Sequence, residues 1–250
     1  MPVVQSQGLS IHYDVIGVGP PILLHHGVMG SGSRWQAVGY VDELADDFSL
    51  ILIDARGHGQ SDKPHDPLSY EGSMLARDIV AIMDDLGLDT AIFWGYSLGG
   101  RVGFELANIA AERVSAFIIG GSSPYEIDLR VPINGYQTDH DDVRSAVLEF
   151  FGISVESVPS EYMNAVLEND FFAIHAVLAK RPSIAQALEK MEMPCLMYVG
   201  EADPRSLPAE KAASMLKDAS FARLPGLDHG QAFAMKDAVL PHVRSFLRLT

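Results

Sequence analysis

The sequence predicts an α/β fold, a doubly wound and mostly parallel sheet interrupted by a small helical insertion. Three observations lead there. Short, β-rich apolar runs recur along the chain, amphipathic segments separate them, and one stretch, 123–191, breaks the alternation. Strand, helix, strand in repetition requires a sheet covered on both faces, and strands buried on both faces read as continuous apolar runs. The 250 residues suit one such domain. A chain of that size buries roughly three quarters of its unfolded surface and needs no metal or disulfide staple.

Each element follows from its pattern. Residues 10–16 partly alternate apolar and polar, as an edge strand does, and Gln7-Gly8 before them suggests a hairpin turn. Ile22-Leu23-Leu24, following Pro20-Pro21, reads as a buried strand, and 49–53, 91–94, 114–119 and 195–199 repeat it. Apolar residues at helical spacing mark 35–46, 70–86, 98–111 and 209–216. A last strand is expected over 220–224 and a closing helix over 234–249. The core therefore comprises 1–122 and 192–250. The insertion 123–191 contains Pro124, Pro132, Pro159 and Pro182, with helical patches at 143–151, 160–167 and 171–178 and no buried strand.

Composition narrows the partners. With 18 Lys+Arg against 33 Asp+Glu the net charge is -15. Such a surface repels phosphate backbones and anionic lipid, so neither nucleic acid nor membrane is an expected partner. No apolar run approaches the roughly 20 residues of a membrane span. The first ten residues lack the basic and apolar regions of a signal peptide. The single cysteine, Cys195, lies in a predicted buried strand and excludes an intrachain disulfide. A cytoplasmic setting is the expectation. Oligomeric state has no signature here.

The strongest chemical signal is Gly95-Tyr96-Ser97-Leu98-Gly99-Gly100, between the apolar run 91–94 and a helix pattern. A glycine-rich strand-to-helix turn also occurs in nucleotide-binding folds. A serine centred between glycines at that junction, however, is the context of a nucleophile elbow. The sharp turn lifts the hydroxyl clear of the sheet and puts it at a helix N-terminus, where free N–H groups favour a developing anion.

Serine needs a base. Of nine histidines, His229 alone sits in a glycine-bounded loop, Gly226-Leu227-Asp228-His229-Gly230, between the last strand and the last helix. His242 falls inside that helix, and His140 and His175 in the insertion. The base needs a carboxylate to orient it. Glu201 and Asp203, just past the strand 195–199, are the two candidates. Asp228 adjoins the histidine, and a neighbouring side chain points elsewhere. His25-His26 invites a metal reading, but adjacent residues at a strand end diverge, and no HExxH or carboxylate–histidine cluster occurs. The charged, glycine-rich loop 54–62, with Arg56 and His58, reads as a braced loop more readily than as a catalytic one.

Taken together, the His26-Gly27 loop, 54–62, 95–100, 200–203 and the His229 loop resemble the α/β-hydrolase family, in its compact branch with a helical cap. The resemblance covers nearly the whole chain. It implies the chain order serine, acid, histidine, with Ser97 as nucleophile, Asp203 as acid (the aspartate three residues after Gly200) and His229 as base. It also implies an oxyanion hole formed by the backbone amides of Leu98 and Val28. It makes 123–191 a cap over the site, with Tyr125, Phe171, Phe172 and His175 as candidates to contact substrate. No cofactor and no metal are implied.

Family members share these residues across several chemistries. The leading expectation is hydrolysis of a small carboxylic ester or lactone through an acyl-enzyme. One alternative is a triad-dependent lyase, because Gly95 to Arg101 also resembles the elbow of a menaquinone-pathway synthase that eliminates pyruvate. Such an enzyme needs cations around an anionic substrate. The insertion offers Arg130, Arg144, Lys180, Arg181 and Lys190 amid many acids. A C–C bond hydrolase and a non-catalytic binding protein on the same fold complete the alternatives.

Overall fold

The computed structural model describes residues 2–132, 139–153 and 160–248. Val3–Ser6 (β1) and Leu9–Ile16 (β2) form an antiparallel hairpin around Gln7 and Gly8, both at positive φ. The outer strand is β1, so 10–16, expected at the edge, lies one strand in. Pro21–His25 (β3) leads through the short helices Ser33–Ala37 (α1) and Tyr40–Leu44 (α2) to Ser49–Ile53 (β4). One helix was expected across 35–46, but Gly39 at φ 89° breaks it. Gly72–Asp85 (α3), Ala91–Tyr96 (β5), Leu98–Ala110 (α4) and Val114–Gly120 (β6) continue the alternation.

The chain then leaves the main sheet. Ile127–Asp128 (β7) pairs antiparallel with Lys180–Arg181 (β8), and between them lie His140–Phe150 (α5), Ser160–Leu167 (α6) and Phe171–Val177 (α7). This two-residue ladder was not expected in a stretch read as helical. Cys195–Gly200 (β9), Ser206–Met215 (α8) and Ala219–Leu224 (β10) return to the sheet. Gln231–Ala234 (α9) and Lys236–Leu247 (α10) close the described chain. The closing helix is thus two pieces, and its expected end at Leu249 lies outside the described residues.

The sheet runs β1-β2-β4-β3-β5-β6-β9-β10, parallel from β4 onward. Successive residues divide between two cores. Leu23, Ile51, Phe93, Phe117 and Met197 face α3, α4 and α8. Leu24, Leu52, Trp94, Ile118 and Tyr198 face Trp35, Tyr40 and Val243 on the other side. Burial on both faces explains why the strands lack alternation. A third cluster, Val131, Val143, Val147, Val166, Phe171, Ile174 and Leu178, packs α5–α7 together and includes Met29 from the loop after β3. Arg101, buried in the first turn of α4, donates to the carbonyls of Tyr125 and Pro182 and so ties both ends of this segment to the core. Among the described residues no helix is long and apolar enough to cross a membrane.

The chain runs from β3 outward to β4 and then crosses back to β5 on the other side of β3. The loops after β3 and β5 therefore meet at the carboxyl edge where the order reverses, the usual place for a ligand crevice in an open α/β sheet.

Candidate active site

Ser97 occupies that edge at φ 55° and ψ -107°. Positive φ on a non-glycine residue costs on the order of 1–3 kcal/mol and persists only when its surroundings impose it. Here the Ser97 amide donates to Gly120 O at 2.8 Å, and the Gly99 amide to His26 O at 3.1 Å. The flanking glycines are steric necessities. A Cβ on Gly95 would lie 2.2 Å from Gly99 O, and one on Gly99 would lie 2.1 Å from His25 O.

A continuous hydrogen-bond chain starts at this serine. The Ser97 hydroxyl donates to His229 Nε2 at 3.0 Å, and His229 Nδ1–H donates to Asp203 Oδ2 at 2.5 Å. The Asp203 side chain is fully buried, whereas that of His229 is 31% exposed. Burial alone would push the Asp203 carboxyl up. Its bond to His229, the charge there, and the amide and guanidinium of Arg205 outweigh burial and hold it below the usual carboxylate range. The rival acid has another task, for Glu201 Oε2 accepts the Gly226 amide at 2.9 Å. Asp228 accepts the Gln231 amide at 2.8 Å at the start of α9.

The loop after β3 passes close to the serine. A Cβ on Gly27 would lie 3.2 Å from Ser97 Cβ, so the residue before Val28 abuts Ser97. Met29 follows at φ 61°, so two of the three non-glycine residues at positive φ among the described residues belong to this site. Asn169, after α6, donates to Met29 O at 3.2 Å. Ala55 N–H donates to His26 Nε2 at 3.1 Å, which fixes the proton on Nδ1, and Nδ1 donates to Gly27 O at 2.7 Å. Leu98 opens α4, so its amide has no partner one turn back within the helix.

The loop 54–62 is a brace. Asp54 accepts the amides of Gly32 and Gln60 and bonds His12, while Arg56 pairs with buried Asp78 at 2.6 and 2.7 Å. His58 donates to Arg56 O.

The four candidates for substrate contact are dispersed. Phe171 is buried in the third cluster. Phe172 packs on the rings of His65 and His140, and His175 donates to Val131 O at 3.1 Å. Tyr125 turns the other way. Its hydroxyl meets Met215, and Lys211 lies over its ring. A helix following a parallel strand runs back toward the sheet's amino edge, so Tyr125, half-buried against the core that α3, α4 and α8 share, points toward the end of α8. The side chain of Tyr162, another aromatic of the insertion, lies outside the described residues. Sequence reasoning missed Tyr96, Asn169 and Arg205. Only Tyr96 carried a signal, an aromatic beside Ser97.

Residues 20–204 match the family model described as alpha/beta hydrolase fold. A putative 2-succinyl-6-hydroxy-2,4-cyclohexadiene-1-carboxylate synthase of Bacillus subtilis is 34% identical over 119 residues, 46% of this chain and 42% of that protein. The match thus spans less than half of that relative's length. A bifunctional esterase/perhydrolase of Acinetobacter calcoaceticus is 24% identical across 98% of this chain and 99% of its own. The crystal structure of the enol-lactonase from Burkholderia xenovorans LB400 superposes with a TM-score of 0.81 at 22% identity, covering 99% of this chain and 100% of that one. The chain belongs to the α/β-hydrolase fold family.

Proposed function

We propose that the protein hydrolyses small carboxylic esters or lactones through an acyl-enzyme on Ser97. The hydrogen-bond chain from Ser97 through His229 to buried Asp203, with the serine held at positive φ, carries this reading. Ser97 Oγ attacks the carbonyl carbon while its proton passes to His229 Nε2. The carbonyl π pair moves onto oxygen, and the Leu98 and Val28 amides hold that anion. Collapse breaks the bond to the leaving oxygen, which takes the proton from His229. A water then gives a proton to His229 and its oxygen to the acyl carbon. Ser97 recovers its proton as the acid leaves. Asp203 keeps the imidazole in the required tautomer throughout. The esterase and lactonase named among the similar proteins support this chemistry.

The pyruvate-eliminating alternative needs cations free to meet an anionic substrate. Arg130 pairs with Asp128, Arg144 with Asp141 and Lys180 with Glu126, while Lys190 donates to Asn108 O. Arg181 is buried and donates to the carbonyls of Tyr70 and Val177. Those engagements favour a neutral substrate. The test is a panel of neutral esters, lactones and dicarboxylate monoesters of graded acyl length. Efficiency should climb over the first few acyl carbons, about fourfold for each buried methylene, then fall. Neutral acyl groups should exceed charged ones of equal length. A preference for the dicarboxylate series would contradict the reading.

A further inference from the structure

We infer that Arg205 is a positioning residue that sets the pH range of the Ser97–His229 pair, by placing a cation on the oxygen of Asp203 that His229 does not use. The inference rests on the triad reading above.

Asp203 Oδ2 is taken by His229 Nδ1–H at 2.5 Å. Its other oxygen, Oδ1, accepts twice, from the Arg205 backbone amide at 2.9 Å and from the Arg205 guanidinium at 3.1 Å. The amide alone would satisfy that oxygen. The guanidinium adds a full charge. The carboxylate is fully buried and the guanidinium side chain is 23% exposed, so the pair is only partly screened.

The turn itself does not require the side chain. The Asp203 amide donates to Gly200 O, the Ser206 amide to Asp203 O and the Ala209 amide to Arg205 O. Gln and Lys at 205 both retain a backbone N–H and C=O for the same bonds.

The Tyr96 ring lies 5.2 Å from that of His229, with Tyr198 behind it at 6.0 Å. Burial holds both phenols protonated, above their usual range. Asp228 and Glu201 are carboxylates engaged with the Gln231 and Gly226 amides. Among the described residues, Arg205 is the one cationic side chain paired with Asp203. A carboxylate stabilises an imidazolium, and a cation on the same carboxylate weakens that stabilisation. Arg205 thereby offsets part of the negative charge that Asp203 presents to His229 Nδ1.

The test is the pH profile of kcat/KM for a neutral activated ester, at constant ionic strength, with the full chain, Arg205→Gln and Arg205→Lys. Arg205→Gln should move the midpoint of the acid limb upward by about 0.5–1 pH unit. One unit below the wild-type midpoint it should therefore lose about three- to tenfold more activity than at the alkaline plateau. Arg205→Lys should return the midpoint toward wild type. An imidazole titration of His229 by NMR, in Ser97→Ala with and without Arg205→Gln, should shift the same way and needs no turnover. A midpoint unmoved in Arg205→Gln, or displaced equally in Arg205→Lys, would overturn the inference while leaving the triad standing. A wild-type protein with no ester turnover and no fluorophosphonate label on Ser97 would overturn both.

Discussion

The hydroxyl of Tyr96 donates to the backbone carbonyl of His229, across 133 residues of chain. The residue before Ser97, the proposed nucleophile, therefore holds the residue proposed as its base. The two rings lie 5.2 Å apart, so the ring contact and the backbone hydrogen bond act on one residue. Tyr96→Phe keeps the ring and removes the bond. One such bond is worth about 1–1.5 kcal/mol, so kcat should fall about five- to tenfold with KM little changed. Steady-state kinetics beside a melting curve checks this, and an unaltered kcat would show that the loop is held by other means.

Asp203 and Glu201 are two residues apart and make different bonds. Asp203→Asn should cost on the order of 10⁴ in kcat, because an amide facing Nδ1 favours the wrong imidazole tautomer. Glu201→Gln should cost less than about tenfold, since its partner is a loop amide that the neutral side chain can still serve. Matched kinetics of the two variants decides. The reverse ranking would move the acid to Glu201.

Met29 sits at positive φ beside the expected oxyanion donor, and Asn169 holds its carbonyl. Asn169→Ala should release that strained peptide and lower kcat roughly tenfold or less, one hydrogen bond's worth. It should weaken a boronate transition-state analogue in proportion. A variant with normal kcat and normal boronate affinity would place the loop's rigidity in its own sequence.

Three histidines beneath the site make the fold sensitive to acid. Burial pushes the His25 imidazole down to about 3, with the neighbouring His26 adding to the effect. Burial also lowers His26, and lowers His58 well below its usual value. In the unfolded chain an imidazole titrates near ~6.5, so below that pH the unfolded state takes up protons that the folded state refuses. Stability is therefore greatest above ~6.5 and falls as pH drops, by up to about 1.4 kcal/mol per pH unit for each such histidine. Urea unfolding at pH 7.5, 6 and 5 should show that loss. Flat stability across the range would mean that these imidazoles charge in the folded state.

Much of this was legible in the chain because local chemistry imposes it. The apolar runs gave the parallel strands, since Phe93 and Trp94, or Ile51 and Leu52, serve opposite faces. Ser97 between glycines at a strand-to-helix junction marked the elbow, and the loop around His229 marked its partner. Other features depend on contacts that no local pattern encodes. The bond from Asn169 to Met29 joins residues 140 apart. The β7–β8 ladder is two residues long on each side, too short for a period. The setting of Tyr125, with its carbonyl bonded by Arg101 and Lys211 over its ring, likewise comes from distant residues. The break at Gly39 divides what hydrophobic spacing alone reads as one helix.

The central claim is that Ser97 carries the acyl group during turnover. The direct measurement is intact-protein mass spectrometry of enzyme quenched in acid while it hydrolyses an activated ester, followed by peptide mapping. A mass increase of one acyl group is expected on the peptide containing Ser97, accumulating further in His229→Ala if any acylation survives, and absent from Ser97→Ala. Sustained turnover by Ser97→Ala, or an acyl group mapped to another residue that turns over at the rate of catalysis, would contradict it.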